Sequence, residues 1–508
     1  MKQWGMLIAS AGVLAVCMPG FGFSFPIWVG FSVFLIILKR CSPWKGFIRG
    51  ILFGMIYFGI CLHWIIPTFY NEIPNMFERF PSEVGIVVYL LLCLIQSFFF
   101  GLFGAIYCAF YPKIEKRLWL FLLFIPSLLV FTELLRGWGP MGFTGYRFSD
   151  SLYRDFGLLQ IAAFGGNELL LWIIGFTNAW VAYAWGRGFP SFRLNAVRIG
   201  LLCIGAAYLV NSLIIAFIPP TQPHMAEKTK IAVMQPWVEP REKYRYSEFD
   251  FIRSFEASIS DLIQTRKDVD LIVFPESHFQ YDIAKSPMTL QVVEATAREI
   301  GIPIVVPHPK IEDQRYYNAV RIVYPFSGLS TDFYGKMKLT PFVETLPYGD
   351  LFRAFEFLML YAYFEEGPDA TVFEVANRSI GFPICFESLY PEVFSAFHQN
   401  HAEILVVVTN DGWFGNLIGL ETHFAFLPFR AVENRRWMLQ VSNNGITGLV
   451  DPYGRIIQRL PPFESSWDVF EVPVDPLPST PYIAYRNIWL TIFLLLLLIT
   501  SILSFVIQ

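Results

Sequence analysis

One stretch organises the polar half of this chain, and it reads Gly381-Phe382-Pro383-Ile384-Cys385-Phe386-Glu387-Ser388. An apolar run of this kind indicates a buried strand, here with a single cysteine at its end. Two further segments end in the same way: Val273-Phe274-Pro275-Glu276-Ser277 leads to a carboxylate, and Tyr334-Gly335-Lys336 is a turn that presents an ammonium. We expect the three segments to converge. Together they hold a glutamate, a lysine and a cysteine, which form a complete set for acyl transfer through a thioester.

Cys385 is the predicted nucleophile. Cysteine attacks as the thiolate, and an unperturbed thiol has a pKa of about 8.5, so the sulfur needs a base or a stabilising cation. Glu276 is the candidate base. Lys336, together with the backbone N–H that follows the cysteine, is the candidate partner for the oxyanion that forms at the attacked carbonyl. Lys338 is the alternative lysine, and Lys336 is preferred because it directly follows its strand.

The composition indicates a membrane protein. Of 508 residues, 54% are hydrophobic and only 16% are charged, which is far from the average of soluble proteins. The net charge of −4 and the lack of a long basic run argue against nucleic acid as a partner. Of the seven cysteines only Cys385 belongs to the polar region, so we predict neither a disulfide framework nor, from the Cys and His spacing, a metal site.

Apolar runs of about 20 residues, enough to cross roughly 30 Å of hydrocarbon, lie near 4–21, 23–38, 47–66, 84–110, 118–135, 166–186, 197–218 and 487–507. They predict a multi-pass α-helical membrane domain of about eight spans. Seven helices fall in residues 1–218, and the eighth is the isolated C-terminal helix in 481–508. The first run also fits a signal peptide, but no small-x-small cleavage site precedes the next run, so a retained helix is favoured.

Basic residues in short loops predict the orientation of these spans. They follow the second, fourth and sixth spans, at Lys39, Arg40, Lys45, Lys113, Lys116, Arg117, Arg187, Arg193 and Arg198. These loops all lie on one side, and positive loops are cytoplasmic. An odd number of spans therefore places residues 219–480 on the outer side of the membrane.

Residues 219–480 begin at Pro219, Pro220 and Pro223 and alternate strand-like runs with helical segments, which is typical of an α/β domain. The strands are predicted near 230–234, 270–274, 303–306, 380–384, 403–408 and 438–441, and the helices near 246–265, 288–300 and 420–435. Two hairpins are predicted around Ser327-Gly328 and Asp451-Pro452-Tyr453-Gly454.

A long loop between the fifth and sixth spans mixes aromatics, glycines and arginines from Glu133 to Gln160. It fits an aromatic belt with interfacial arginines. It equally fits a wall for a lipid headgroup, and the sequence leaves both interpretations open.

The three strand-end segments together resemble the nitrilase superfamily, whose Glu-Lys-Cys triad is carried on an α-β-β-α sandwich. The resemblance extends to the apolipoprotein N-acyltransferase family and covers nearly the whole chain, including the spans that bracket the polar domain. It rests on Pro275-Glu276, Tyr334-Gly335-Lys336, Pro341-Phe342-Val343-Glu344, Cys385-Phe386-Glu387, Asn410-Asp411-Gly412-Trp413-Phe414-Gly415 and Ser442-Asn443-Asn444-Gly445-Ile446-Thr447. The expected fold is therefore a membrane domain plus an α/β nitrilase-like α-β-β-α sandwich domain.

The resemblance implies Glu276 as base, Lys336 as oxyanion stabiliser and Cys385 as the acylated nucleophile. It also implies Glu344 and Glu387 as supporting carboxylates of the active site. The residues by themselves leave open that these two are structural partners of salt bridges.

Four aromatic side chains lie near these motifs. Phe386 stands where the family has a tyrosine after the cysteine, so the ring is kept and the hydroxyl is lost. Trp413 and Phe414, in a glycine-flanked loop, fit ordinary packing or a mobile lid over an acyl chain. His423, on the following helix, fits a core or capping residue better than an acid–base group.

The resemblance implies transfer of an acyl chain from a phospholipid, through a Cys385 thioester, to the α-amine of the N-terminal diacylglyceryl cysteine of a lipoprotein. An acyl chain loses about 0.8 kcal/mol per CH₂ on leaving the bilayer, so such an enzyme has to work at the lipid. The expected location is the bacterial inner membrane, with the catalytic domain on the periplasmic side, no cofactor and a monomeric chain.

Two other functions stay open. The first is a membrane-tethered carbon-nitrogen hydrolase or amidase that uses the same triad with water as acceptor. The second is a non-catalytic scaffold that binds lipid or lipoproteins.

Overall fold

The computed structural model describes residues 2–77, 81–185, 190–219, 227–239, 247–265, 268–359, 363–473 and 477–506. These residues form two units. The first comprises the described parts of Met1–Tyr70, Pro81–Ile218 and Ser479–Gln508, and the second those of Asn71–Phe80 and Pro219–Pro478. Arg187, Pro220 and Pro223, on which sequence predictions rest, lie outside the described residues. The predicted domain limits at 219 and 480 therefore stay predictions.

The helices of the described residues are α1 Lys2–Ala15, α2 Gly30–Leu38, α3 Pro43–Cys61, α4 Ile73–Phe77, α5 Ser82–Ile114, α6 Leu118–Arg136, α7 Phe156–Leu159, α8 Ala162–Trp185, α9 Pro190–Phe217, α10 Glu248–Thr265, α11 Pro287–Ile300, α12 Pro391–Gln399, α13 Leu417–Phe424, α14 Phe426–Asn434 and α15 Pro481–Val506. Within these residues, 5 helices are long and apolar enough to cross a membrane: α3, α5, α6, residues Val197–Phe217 of α9, and α15. The first unit is thus a multi-pass helical unit, but the predicted count of eight spans is not confirmed.

The difference arises from the first two runs and the sixth. The runs predicted at 4–21 and 23–38 form shorter apolar helices, Gln3–Ala15 and Phe25–Leu38. The run predicted at 166–186 lies in α8, whose sequence includes Asn167, Glu168 and Asn178 and whose backbone breaks at Gly165–Gly166. Polar residues lower the hydropathy of this helix, so it does not count among the five.

The backbones of α3 and α5 approach very closely. Gly46, Gly50 and Gly54 recur along one face of α3, and a Cβ added at Gly50 would lie 2.1 Å from the carbonyl oxygen of Phe100 on α5. A Cβ added at Gly46 would lie 2.3 Å from the carbonyl oxygen of Gly104. Small residues permit this approach, and close packing is what holds helices together in lipid. The glycine row therefore sets the spacing of α3 and α5.

The segment from the end of α6 to the start of α8 contains buried arginines in ion pairs. Arg147 lies 3.1 Å from Glu168, and both side chains are buried. Arg136 is also buried and donates from Nε to Glu133 at 2.9 Å. Charges in a membrane-spanning unit are costly unless they are paired. These two arginines are therefore internal ion-pair partners, and the two interpretations of the whole loop stay predictions.

The second unit contains two β-sheets. Their strands are β1 Lys228–Gln235, β2 Leu271–Val273, β3 Ile304–Glu312, β4 Arg315–Tyr324, β5 Gly328–Leu329, β6 Tyr334–Gly335, β7 Val372–Val375, β8 Arg378–Gly381, β9 Ile404–Thr409, β10 Trp437–Ser442, β11 Gly448–Val450, β12 Ile456–Arg459 and β13 Ser466–Pro473. The first sheet has the order β13-β1-β2-β3-β4-β5, with β6 paired to β4. The second has the order β12-β11-β10-β9-β8-β7.

The layers follow the order α-β-β-α. Helices α10 and α11 pack on the first sheet through a core that includes Phe255, Phe274 and Val293. Strand β1 contacts β10 of the second sheet, and α14 covers β10 from the other side. Strand β9 is buried along its whole length, as expected for a strand covered on both faces. The predicted nitrilase-like sandwich is therefore confirmed.

The parallel strands place the site at one edge of each sheet. Strands β1, β2 and β3 run parallel in the first sheet, and β8, β9 and β10 run parallel in the second. Ligands of such sheets bind beyond the carboxyl ends of the strands. Glu276 follows β2 and Cys385 follows β8, so both predicted catalytic residues lie at such ends.

The glycine row predicts a difference between two substitutions on one helix. Gly50→Ala introduces a Cβ that overlaps Phe100, whereas Gly59→Ala places its Cβ 3.7 Å from the nearest atom, Tyr89 Oη. Alanine favours a helix over glycine by about 1 kcal/mol. We therefore expect Gly50→Ala to lower the melting temperature of the detergent-solubilised protein and Gly59→Ala to maintain or raise it. Equal melting temperatures for the two variants would contradict the close packing of α3 and α5.

Candidate active site

Cys385 lies at a sharp corner after β8. The strand ends at Gly381, earlier than the predicted 380–384, and the chain stays extended to Ile384, which bridges Val408 of β9. Cys385 then takes a φ of 53° and begins the 3₁₀ turn Cys385–Leu389. A non-glycine residue in this left-handed region is strained and is found where function or packing requires it. The corner thus presents the sulfur beyond the sheet edge.

Glu276 is held by one side-chain amide and one backbone N–H from other segments of the chain. Its Oε1 accepts a hydrogen bond from Asn318 Nδ2 at 2.9 Å, and its Oε2 accepts one from the backbone N–H of Asn410 at 3.0 Å. The same Asn318 amide donates to Glu344 Oε1 at 2.7 Å. One side chain of β4 therefore orients both carboxylates. The sequence analysis missed Asn318, which carries no local signal because it sits within an ordinary strand.

Lys336 is buried between the two carboxylates. Its Nζ lies 2.8 Å from Glu344 Oε2 and 3.9 Å from Glu276 Oε1. Burial by itself lowers the pKa of Lys336, but Glu344, Glu276 and Cys385 together raise it above its ordinary value. Burial raises the pKa of Glu344, but Lys336 outweighs this effect and the net pKa is lowered. Both groups of this pair therefore remain charged at neutral pH.

The alternative lysine lies elsewhere. Lys338 Nζ is 3.9 Å from Glu392, and both of these side chains are more than a third exposed. A surface pair of this kind contributes little. The geometry therefore favours Lys336 over Lys338 as the ammonium of the site.

The Cys385 sulfur interacts with both the carboxylate and the ammonium. Burial raises the pKa of its thiol well above the ordinary range, and the charges of Glu276 and Asp411 raise it further. Lys336 and the Thr409 hydroxyl oppose this rise. The resting residue is therefore a neutral thiol, and the sulfur needs a base at the moment of attack.

Glu387 joins the lysine segment to the cysteine segment. It is fully buried, and four groups donate to its carboxylate: Tyr334 Oη at 2.7 Å, Met337 N at 2.7 Å, Lys338 N at 3.1 Å and Ile384 N at 2.7 Å. Burial raises the pKa of Glu387 to about 7, against the effect of these donors and of Lys336. Glu387 therefore holds the segment of Lys336 and the segment of Cys385 together, and we call this set of four hydrogen bonds the Glu387 clamp.

Three rings pack together beside the nucleophile. The ring centroids of Phe386 and His423 lie 5.4 Å apart in a stacked arrangement, and Phe414 lies 6.0 Å from Phe386 and 5.9 Å from His423. Phe414 is buried, whereas Trp413 is half-buried in the 3₁₀ turn Asp411–Trp413. Phe414 therefore packs beside Cys385, and the role of Trp413 and Phe414 as a lid or acyl-chain contact stays a prediction.

An Asp–His pair adjoins Cys385. His423 Nδ1 lies 2.7 Å from Asp411 Oδ1, and His423 Nε2 lies 3.1 Å from the carbonyl oxygen of Cys385. The donor atoms of these three residues lie within 4.8 Å of one another, and among the described residues they are the one group with metal-binding spacing. Both ring nitrogens and the aspartate oxygen already have protein partners, so we assign no metal here.

Comparison with known proteins relates both units to one family. A family model described as carbon-nitrogen hydrolase matches residues 220–476, and one described as the apolipoprotein N-acyltransferase N-terminal domain matches residues 10–180. An apolipoprotein N-acyltransferase of Thermotoga maritima is 34% identical over 471 residues, which cover 91% of this chain and 87% of the relative. The chain belongs to the apolipoprotein N-acyltransferase family.

A second curated relative agrees with this assignment. An apolipoprotein N-acyltransferase of Pseudomonas syringae pv. tomato is 28% identical over 507 residues, covering 97% of this chain and 95% of the relative. Among solved structures, Saccharomyces cerevisiae Nit3 of the nitrilase superfamily is 17% identical, with a TM-score of 0.38 over 52% of this chain and 94% of that chain. As a member of the apolipoprotein N-acyltransferase family, the chain is an N-acyltransferase with a nitrilase-like domain.

The Glu387 clamp predicts a large effect from a small change. Glu387→Gln places an amide NH₂ among four donors, which leaves a buried polar group unsatisfied and shifts the Lys336 and Cys385 segments. A displacement of about 1 Å can lower a rate on the order of 10²-fold. We expect a loss of this size in acyltransferase activity. Glu392→Gln, which changes an exposed carboxylate paired with Lys338, should retain nearly full activity. Full activity of Glu387→Gln would show that the clamp is dispensable.

Proposed function

We propose that this protein moves an acyl chain from a phospholipid to the α-amine of the N-terminal diacylglyceryl cysteine of a lipoprotein. The observation that carries the proposal is a buried Cys385 that interacts electrostatically with Glu276 and Lys336, two groups that themselves lie 3.9 Å apart. Membership of the apolipoprotein N-acyltransferase family supports N-acylation. The apolar helices of the first unit support a membrane and lipid setting for the reaction.

The first half-reaction loads the sulfur. Glu276 takes the proton of the Cys385 thiol as the sulfur attacks the ester carbonyl carbon of the donor, and the carbonyl oxygen becomes an oxyanion. Lys336 and the backbone N–H of Phe386 stabilise that charge. When the ester C–O bond breaks, Glu276 returns the proton to the leaving alkoxide. The products are a thioester and a lysophospholipid.

The second half-reaction passes the chain to nitrogen. The neutral α-amine of the acceptor attacks the thioester carbonyl, and Glu276 removes a proton from the attacking nitrogen. The C–S bond then breaks, and the proton goes to the departing sulfur of Cys385. The products are an amide and the free thiol, so the enzyme is ready for another cycle without any cofactor.

The proposal includes a location and an assembly state. The loop charges support an orientation in which the catalytic domain lies on the periplasmic side of the bacterial inner membrane. The triad residues all come from one chain, so a monomer is sufficient for the chemistry. Glu344, Glu387 and Phe386 are proposed to support the site, and Trp413 and Phe414 are proposed to contact the acyl chain.

Loss of the sulfur nucleophile tests the thioester. After incubation with phospholipid, the intact protein should gain the mass of one acyl chain, and hydroxylamine should remove it. We expect Cys385→Ala to abolish this adduct and Cys385→Ser nearly to abolish it. Cys203→Ser, which changes a free cysteine of α9, should form the adduct normally. An adduct that persists in Cys385→Ala would assign the nucleophile to another residue.

The choice of acceptor separates the transferase from a hydrolase that uses water. With a phospholipid labelled in its acyl chain, the transferase should release little free fatty acid and should label a diacylglyceryl lipopeptide. Acetylation of the lipopeptide amine is the matched control, and it should prevent labelling. Rapid release of labelled fatty acid without any amine would favour the hydrolase instead.

A further inference from the structure

The His423 ring makes two hydrogen bonds, and the acceptors define its protonation. Its Nε2 faces the carbonyl oxygen of Cys385 at 3.1 Å, and a carbonyl oxygen only accepts hydrogen bonds. Nε2 therefore carries a proton. Its Nδ1 faces Asp411 Oδ1 at 2.7 Å, so the state of that carboxylate decides whether Nδ1 carries one as well.

The neighbours of Asp411 favour the ionised carboxylate. Thr409 Oγ1 donates to Asp411 Oδ1 at 2.8 Å. Ser442 Oγ accepts from the backbone N–H of Gly445 at 3.0 Å and is left to donate to Asp411 Oδ2 at 3.1 Å. A Cβ at position 445 would lie 2.3 Å from Oδ2, so this close approach requires glycine. With donors at both oxygens, Asp411 acts as an acceptor and His423 Nδ1 also carries a proton.

The ring is therefore an imidazolium held in place by packing. It stacks on Phe386 and meets Phe414 edge-on. Burial by itself lowers the pKa of His423, but Asp411, the Cys385 carbonyl and Glu276 outweigh it and raise the net pKa above its ordinary value. No lone pair of the ring is left to accept the thiol proton, so this histidine does not serve as the base of a Cys–His pair.

The hydrogen bond from His423 to the Cys385 carbonyl links the imidazolium to the peptide group that would bind the oxyanion. The carbonyl of Cys385 and the N–H of Phe386 belong to the same peptide group and point in opposite directions because the bond is trans. A fixed carbonyl therefore fixes the direction of the N–H. That N–H lies in the first turn of Cys385–Leu389, where backbone donors have no partner within the turn. A charged donor that binds the carbonyl of a peptide group also strengthens the hydrogen bond that the N–H of the same peptide group makes.

We propose that His423 is a positioning residue for acyl transfer, which aims and polarises the Cys385–Phe386 peptide group so that its N–H meets the oxyanion. The inference rests on the proposed reaction at Cys385. It goes beyond the triad because the residue acts through the backbone carbonyl of Cys385. Asp411 holds the charge of the imidazolium, and the two form one functional pair.

Acylation kinetics test the role. Loss of one oxyanion donor lowers a rate roughly 10²–10³-fold. We expect His423→Ala to slow acylation of Cys385 by p-nitrophenyl palmitate to this extent, with KM for the ester nearly unchanged. His423→Gln keeps an NH₂ that can reach the carbonyl and should recover part of the rate. The pH profile should keep its shape in both variants, because the base is Glu276.

A second histidine provides the control. His398 on α12 is also buried, and burial lowers its pKa to about 4, so it should be neutral. We expect His398→Gln to acylate at the wild-type rate. In protein labelled with ¹⁵N-histidine, the His423 ring should show two protonated nitrogens at pH 7, whereas the His398 ring should show one.

Three results would overturn the inference. The first is a neutral His423 ring at pH 7, and the second is acylation of His423→Ala at the wild-type rate. The third is a loss of rate that is accompanied by a fall in melting temperature and is not relieved in His423→Gln. The activated ester separates this inference from the proposed function. If the wild type accepts the ester but not phospholipid, the proposed donor is wrong while the role of His423 is still decided by its variants.

Discussion

A buried ammonium is the constraint on which the second unit depends. Lys336 is almost fully shielded from water, and an unpaired charge there would cost several kcal/mol. Glu344 and Glu276 supply the compensating charge from two other segments, and Asn318 holds both carboxylates. The segments must therefore meet for the domain to fold. The same contacts place the proposed base and the ammonium beside Cys385, so the stability of the fold and the proposed chemistry depend on one set of interactions.

The backbone around the sulfur is held from two sides. Glu387 binds the N–H of Ile384, just before the cysteine, and the N–H groups that follow Lys336. His423 binds the carbonyl of Cys385. These contacts explain why Cys385 can keep a positive φ, because a strained backbone conformation is stable only where several surrounding contacts hold it. The corner that results turns the Phe386 N–H away from His423.

The sequence predicts the parts of this site that follow from local pattern. Glu276 and Cys385 each follow an apolar run and Lys336 follows a predicted turn, so local pattern marks all three as candidates, and the alternation of strand-like and helical runs predicts an α/β domain. The α-β-β-α order of the layers comes from the resemblance to the nitrilase superfamily. Asn318 and the bond between His423 and Cys385 connect positions far apart in the chain, and no local pattern reports them. The predicted number of spans is larger than the five candidate helices of the described residues. The prediction counts the length of apolar runs and gives no weight to polar side chains or to a glycine break, both of which occur in α8.

The charges around the sulfur explain why a neutral thiol suits this site. Three carboxylates, Glu276, Glu344 and Asp411, lie near only two cations, Lys336 and His423. A resting thiolate would add a further negative charge in a buried setting, which agrees with the raised pKa of the thiol. In the proposed reaction, transfer of the thiol proton to Glu276 during attack leaves the total charge unchanged. The negative charge would then move from the carboxylate, through the sulfur, to the oxyanion, where the ammonium and the Phe386 N–H can stabilise it.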